Sequence, residues 1–359
     1  MKNVLLLAAA LSLFPQTSRA EEWKSTFGAE IEAEGLYWAE GKFASDSKTF
    51  RGIYSAKAPT TVRYGRKHRF RLQPIVQYDP QNASKSERFF RDLPEGFYQF
   101  QSLPWTIQLG LNTFTWGDTD VFNPLDVINA RRFFDPFRSE KLGAPALVVK
   151  REFEKFFLEA VYIPWQRKTL LPGEKSRWLP RNVYRVRRLN TTYGEARLVL
   201  PTNANFRYEQ DLEVDNALDN NLALRAKFRF EGFDWTVMGF QGASVSPDVR
   251  LRGVTVVPVS TINGLTTLDV SPDITLQSAS YPIRMAGTSF VKVLGPMLLK
   301  GASAYTKVLN QRFDLPAKIW ENVLALEHTH NLGKGTLTAM LQGTYVNRGD
   351  KLDSNSVSL

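Results

Sequence analysis

The sequence predicts an all-β protein, and three observations carry that prediction. First, residues alternate with a period of two. Over 221–230, Leu222, Leu224, Ala226, Phe228 and Phe230 share one strand face, while Asn221, Arg225, Lys227 and Arg229 share the other. Second, the chain opens with an export signal. Lys2 precedes an apolar run over 4–14, too short to span a bilayer, and Ser18-Arg19-Ala20 sets small residues for cleavage after Ala20. Third, no later apolar run approaches the roughly 20 residues of a membrane helix. Aromatics nevertheless make up 12% of a chain of slightly polar mean hydropathy. Exported strands with one greasy and one charged face fit a transmembrane antiparallel up-and-down β-barrel in the outer membrane. Hydrocarbon cannot satisfy backbone N–H and C=O groups, so a spanning sheet must close on itself.

The strands follow in order. Residues 27–37 place Phe27, Ala29, Ile31, Ala33 and Tyr37 outward and Glu30, Glu32 and Glu34 inward. Residues 68–78 set Phe70, Leu72, Val76 and Tyr78 against Arg69, Arg71, Gln73 and Gln77. Residues 194–200 alternate Ala196, Leu198 and Leu200 with Glu195 and Arg197. Only Glu231-Gly232 separates 221–230 from 233–237, a tight hairpin signal. Trp320, Leu324 and Leu326 then oppose Glu321 and Glu327. Leu337, Ala339, Leu341 and Tyr345 oppose Thr336, Thr338, Gln342 and Thr344. Less regular strands are expected at 49–57, 88–92, 97–101, 105–111, 146–153, 155–163, 205–214, 250–257, 274–280, 283–293 and 297–307. The total is roughly 16 strands, joined by turn chemistry such as Asp79-Pro80-Gln81-Asn82 and Leu294-Gly295-Pro296. No linker divides the chain, so a signal peptide over 1–20 precedes one barrel over 21–359. Two non-alternating stretches, 117–143 and 164–190, read as long loops outside the barrel or folded into its lumen, with lesser loops at 242–246 and 258–268.

The chain carries a net charge of +10; without Lys2 and Arg19, 44 basic residues face 36 acidic ones, or +8. A basic balance raises nucleic acid as a partner, and export argues against it. An anion-favouring lumen or contact with anionic lipopolysaccharide remains. The chain has no cysteine, which rules out a lipid-modified N-terminal cysteine and any disulfide.

Three groups of residues could carry function. Lys67, Arg69, Arg71, Arg225, Lys227 and Arg229 fall on inward faces and are expected to line the pore. Turned toward lipid, each would cost about 2–4 kcal/mol at midplane. Against that, they could pair with Glu30, Glu32 and Glu34 and merely fill the interior. Second, Asp118, Asp120 and Asp126, with Asn123, lie in a charged loop with Arg131 and Arg132. Oxygen ligands at these positions suit a hard cation. The spacing lacks the glycine and terminal glutamate of an EF-hand loop, however, and the same residues serve turn caps and ion pairs with Arg131, Arg132 and Arg138. Such a loop narrows a pore, and opposite charges across it select by charge and size. No metal is assigned. Third, Arg167, Lys168, Lys175, Arg177, Arg181, Arg185, Arg187 and Arg188 face one acid, Glu174, over 163–190, with Trp165, Trp178 and Tyr184 interleaved. Inside, this basic loop would concentrate anions; outside, it would grip lipopolysaccharide phosphates; it could also simply be solvated. His68, His328 and His330 are the only histidines, no motif marks a nucleophile, and glycine-rich phosphate loops are absent. Neither catalysis nor a cofactor is expected.

Leu109-Gly110-Leu111-Asn112, leading into Trp116-Gly117-Asp118-Thr119-Asp120 and Asn123-Pro124-Leu125-Asp126, resembles a porin-like family of proteobacterial outer-membrane barrels of unknown function. Met285-Ala286-Gly287, the stretch from Leu298 to Tyr305, and Leu324-Ala325-Leu326-Glu327-His328-Thr329 resemble its late strands. The resemblance implies a barrel for passive passage of a small hydrophilic or amphipathic solute, and no catalytic residues. The chain departs from the pattern at Asn112 and at its end, where Ser356-Val357-Ser358-Leu359 stands in place of further strands and a terminal aromatic. The expectation is a barrel lacking C-terminal strands through a premature stop or frameshift, with an unpaired edge. The expected partners are outer-membrane lipid, lipopolysaccharide, the barrel-insertion machinery and a small solute. A plugged barrel serving as an adhesin or lipopolysaccharide-contacting scaffold, or a soluble periplasmic carbohydrate-binding protein, would use the same strands differently.

Overall fold

In the computed structural model, hairpin follows hairpin along most of the chain. The structure describes residues 23–37, 50–82, 84–134, 139–176, 179, 187–191, 194–199, 205–209, 211–253, 256–309, 315–331, 333 and 335–348. Residues 1–20, read above as an export signal, with Arg138, Arg177, Trp178, Arg181, Tyr184, Arg185 and the terminal Ser356 to Leu359, lie outside the described residues.

Fifteen strands make one antiparallel sheet. They are β1 (Trp23–Phe27), β2 (Glu30–Tyr37), β3 (Phe50–Lys57), β4 (Thr60–Tyr64), β5 (His68–Tyr78), β6 (Phe89–Ser102), β7 (Trp105–Asn112) and β8 (Ala144–Glu152). The rest are β9 (Phe156–Trp165), β10 (Asp219–Phe230), β11 (Phe233–Ala243), β12 (Pro282–Leu294), β13 (Met297–Val308), β14 (Lys318–Asn331) and β15 (Thr336–Arg348). From β4 onward each strand pairs with the next. β1 pairs with β4 and β2 with β3, so β1/β2 and β3/β4 are two broken passes, held across the break by Gly28 N–H donating to Pro59 O at 2.8 Å. The sheet has two edges, β1/β2 and β15, and no ladder joins them among the described residues.

Alternation sets which side chains point outward. Leu158, Tyr162, Leu222, Leu224, Trp235 and Val237 are exposed, while Val161, Ala223, Thr236 and Met238 between them are buried. The exposed residues lie opposite one another across strands, as in Tyr162↔Leu222, and Leu158 faces the half-buried Ala226 on the same side. Aromatics collect at the strand ends. Phe153, Phe156, Phe228 and Trp235 form a chain of rings with centroids 4.4, 5.5 and 5.2 Å apart. Trp23, Tyr64, His68 and Tyr98 form another, with spacings of 4.8, 5.9 and 6.0 Å. Both lie at the end where the connections are short: Glu231-Gly232, Gly295-Pro296 and Leu103-Pro104 each join two strands directly. Gly232 and Gly295 have φ of +68° and +61°, a conformation that costs glycine nothing in a two-residue turn.

Among the described residues the long connections lie at the opposite end: 79–88, 113–143, 166–218, 244–281 and 309–317. The 166–218 and 244–281 insertions fold together into two four-stranded sheets that contain parallel pairs, such as Ala196↔Thr266. This is a departure from the all-hairpin expectation. The stretch 258–268 is no loop; it is the hairpin Val256–Ile262 to Leu265–Val270, turned at Asn263-Gly264 with φ of +52° and +77°. The expected strands at 88–92 and 97–101 are one strand, β6, because a bulge at Leu93-Pro94 absorbs the proline (Gln73↔Glu95, then Ile75↔Asp92). The basic stretch keeps strand structure at both ends: Pro164 and Trp165 belong to β9, and Arg187 and Arg188 open the strand Arg187–Thr191. Among the described residues, the one helix is Lys85–Arg88, and no helix is long and apolar enough to cross a membrane.

The inner face holds the main core. Phe114, Trp116, Leu125 and Ile128 of the 113–143 connection pack with Ala146, Val148, Val161, Ile163, Ala223, Met238, Phe240, Ile283, Met285, Ala302, Ala304 and Val323 of the sheet. The sheet therefore curls around this segment.

Candidate functional site: an inward segment and the charges it meets

Residues 113–143 leave β7, cross the inner face and return to β8. Asn129 anchors the segment. It is 1% exposed; its Oδ1 accepts from Phe114 N–H at 2.7 Å, and its Nδ2 donates to Asn112 O and Leu142 O, both at 2.9 Å. Asn123 shapes the turn, with Nδ2 donating to Trp116 O at 2.7 Å and Oδ1 accepting from Leu125 N–H at 3.1 Å. Gly117 approaches the Asn123 side chain so closely, at a φ of +93°, that a Cβ there would collide with it. On the wall, Gly287 leaves the space that Leu125, fully buried, occupies. Gln166 Nε2 reaches Ile128 O at 2.6 Å and ties the segment to the connection after β9. Burying Trp116, Leu125 and Ile128 contributes about 1.5–3 kcal/mol each, and this offsets the entropy of ordering an otherwise irregular stretch.

The three carboxylates of the segment do not converge. Asp118 accepts from Lys227 Nζ at 3.2 Å and from Ser289 Oγ at 2.7 Å. Asp120 lies 2.7 Å from Lys300 Nζ, which also holds Glu327 at 2.7 Å. Asp126 pairs with Arg131 at 2.6 Å and Lys141 at 2.8 Å. Each therefore answers separate cations, Asp126 two of them, and a shared hard-cation site is not assembled from them. Arg132 leaves the group: it is buried between Phe90 and Phe134, 4.0 and 5.3 Å from their ring centres, and pairs with Glu140 at 2.6 Å. Burial pulls its guanidinium below the usual arginine range, and Glu140 and Asp92 oppose that shift. At the far tip, Gln342 of β15 accepts from Val121 N–H at 3.4 Å and donates to Phe122 O at 3.3 Å. The tip thus touches β10, β12, β13 and β15.

The wall cations divide by partner. Arg225 pairs with Glu159 at 3.0 Å and stacks on Trp116 at 4.7 Å. Lys227 also pairs with Asp234 at 3.2 Å, and Arg71 with Glu95. Among the described residues none of these cations pairs with Glu30 or Glu32; Glu30 instead lies 4.0 Å from Lys57. Arg69 has no ion pair among the described residues and sits 5.7 Å over Phe97, directly opposite Arg63. Arg229 is exposed and stands 5.3 Å over Phe157. Lys67 is not in the row: it belongs to the turn at 65–67, where its carbonyl accepts from Gln101 N–H at 2.8 Å. Arg63 holds the inward place that Lys67 was expected to take, and the alternation Val62-Arg63-Tyr64 carries that signal in the sequence.

The basic stretch is partly spent inside the fold. Arg167 pairs with Asp92 at 2.8 Å and Lys168 lies 3.9 Å from Asp211. Arg187 and Arg188 are placed only as strand backbone. Nearby, the 79–88 connection buries Glu87, which accepts from Gly173 N–H and from Asn82 Nδ2; burial raises its carboxyl above the usual range despite both hydrogen bonds. Burial pushes the Tyr208 hydroxyl up to about 12, helped by Glu87, Glu174 and Asp211. Sequence reading missed Asn129, Ser289, Lys300 and Glu159, whose roles arise from pairings between distant strands.

No protein-family model matches the chain, and no curated protein matches it. Among solved structures it is similar to OmpTdeltaL8, a loop-deletion mutant of the outer-membrane protein OmpT of Vibrio cholerae. The identity is 11%, covering 90% of this chain and 82% of that one, with a TM-score of 0.43. It is also similar to OmpF of Salmonella typhi in complex with daunomycin (9% identity, 90% and 78% covered, TM-score 0.44). A third is an anion-selective porin from Comamonas acidovorans (11% identity, 89% and 78% covered, TM-score 0.42).

Proposed function

We propose that the protein is an outer-membrane barrel acting as a porin-like channel for small hydrophilic solutes, exported by its N-terminal signal and favouring anions. One observation carries this reading: the sheet turns large apolar residues outward, from Leu109 at 61% exposure to Leu341 at 76%, while a charged segment crosses its inner face. Soluble proteins rarely leave so wide an apolar surface bare, and lipid is the solvent that fits it. In this reading Asp118 and Asp120, held against Lys227 and Lys300, form the constriction. Arg63, Arg69 and Arg229, which make no ion pair among the described residues, set the anion preference. The chemistry is passage, not catalysis. The partners that follow are outer-membrane lipid, lipopolysaccharide and the insertion machinery.

The test is single-channel conductance in a planar bilayer, with the reversal potential read under a salt gradient. An anion-selective potential is expected; a cation-selective one removes the anion claim and leaves the channel. Absence of conductance from folded protein would favour the plugged-scaffold reading, which the apolar packing of Trp116, Leu125 and Ile128 onto the wall supports. Recovery of the protein in the soluble periplasmic fraction, with no mobility shift between heated and unheated samples, would sink both.

A further inference from the structure

One surface feature is unexplained by passage through the lumen. On the outer face, at the long-connection end, the ladder sets Gln241, Arg284, Lys307 and Lys318 side by side: Gln241↔Arg284, Arg284↔Lys307 and Lys307↔Lys318. All three cations are exposed. None has an ion pair among the described residues; Arg284 Nε donates to Gln241 Oε1 at 2.8 Å, a neutral partner. Like charges directly opposite one another on a sheet are destabilising. A row of three facing the membrane rim adds the cost of poor solvation if nothing anionic covers it.

The next residues toward the middle of the wall show what depth this row occupies. Ala286, Tyr305 and Trp320 are the partners one step inward on the same face (Ala286↔Tyr305, Tyr305↔Trp320), and the two rings meet edge to face at 5.9 Å. Ser303 and Asn322 come next, hydrogen-bonded to each other and to the Trp320 indole N–H, and Leu324 and Leu326 follow on the same face of β14, both exposed. Cations, then rings tied to a self-satisfied polar pair, then aliphatic side chains trace the change from headgroup to acyl chain. The long connections mark this rim as the outer-leaflet side.

We propose that Arg284, Lys307 and Lys318 form a clamp for the phosphates of a phosphorylated glycolipid of the outer leaflet, with Tyr305 and Trp320 against the start of its acyl chains. This rests on the membrane reading above. Adjacent strands are about 4.8 Å apart, so three cations span about 10 Å, enough to meet two phosphates on one headgroup. Guanidinium supplies a bidentate fork and each ammonium a point charge. The occupant is selected by charge: an uncharged or zwitterionic headgroup leaves the like-charge row uncompensated.

The test uses the full-length protein folded in zwitterionic nanodiscs, with diphosphoryl lipid A as the probe and its dephosphorylated form and phosphatidylcholine as comparators. Bound lipid is counted by native mass spectrometry. Wild type should retain diphosphoryl lipid A at least tenfold more tightly than either comparator. R284Q/K307Q/K318Q should lose about 100-fold of that affinity, and K307Q alone roughly fivefold, since each cation near an anionic surface contributes on that scale. K307Q keeps the idea testable if the triple variant folds poorly. Equal retention of diphosphoryl lipid A by wild type and variants, or no preference over phosphatidylcholine, overturns the clamp alone. Failure of wild type to insert into bilayers overturns the membrane reading and the clamp together.

Discussion

Asp118 and Asp120 each bring a full negative charge to a lysine on a distant strand, Lys227 and Lys300. Removing the acids while keeping their shape leaves Lys227 with Asp234 and Lys300 with Glu327, and takes two negative charges from the inner face. If the protein conducts as proposed, D118N/D120N should therefore shift the reversal potential toward anions, by several millivolts under a tenfold salt gradient, with the fold retained. An unchanged or cation-shifted potential would mean that these pairs lie off the conducting path. Glu87 behaves differently. Burial holds its carboxyl above the usual range, so the folded chain keeps a proton that the unfolded chain has released. The associated stability is fully present below the unfolded value and falls as pH rises toward the raised folded value. E87Q should remove that slope and protect the 79–88 connection better than wild type at neutral pH. Amide exchange of Gly173, whose N–H Glu87 accepts, at pH 4 and pH 8 checks both statements. At this scale the sequence is legible only in part. The inward faces of Arg69 and Arg225 follow from local period. The partners Glu159, Ser289 and Lys300 depend on which strands the curl brings together, and no local pattern encodes that.

The element that sets the interior is the segment over 113–143. Its charged residues are conspicuous in the sequence, and the break in alternation from Gly117 onward marks it as a long loop. What holds it in place, Asn129 and the apolar side chains Leu125 and Ile128, looks like any loop residue until the wall is drawn. Gly287 is the wall's half of that fit. G287V should displace Leu125 and loosen the segment at a cost of about 1–3 kcal/mol. The expected readout is larger or noisier single-channel conductance and faster protease cutting between Trp116 and Leu125; normal conductance and protection would show that the wall can relax around the new methyl groups. Strand positions were largely readable because hydrophobic alternation and turn residues agree, as at Glu231-Gly232. The exceptions have local causes: Pro94 is hidden in a bulge, and the Asn263-Gly264 turn lies between strands too irregular to alternate cleanly.

At the scale of the whole molecule, the two faces of the sheet make opposite demands. Leu224, outward and exposed, should tolerate an arginine poorly, at about 2–4 kcal/mol if it lies near the membrane midplane. The inward neighbour Arg225, paired with Glu159, already carries one. L224R should lower the denaturant midpoint for folding into vesicles and weaken the unheated mobility shift, whereas the conservative L224I should not. Equal behaviour of the two variants would place that face away from lipid. The outer belt was the most legible property of the chain, because apolar residues recur on one face of most strands and need no knowledge of topology. The co-folding of the 166–218 and 244–281 insertions was the least legible, since it pairs segments far apart in the chain, such as Ala196 with Thr266.

The lopsided distribution of connections gives the molecule a direction. Joints of two or three residues such as Glu231-Gly232 and Gly295-Pro296 offer a protease no slack to bind, whereas the opposite rim carries the long excursions among the described residues. Digestion of sealed vesicles should therefore nick the chain from one side only, and the set of fragments would report which way each copy was inserted.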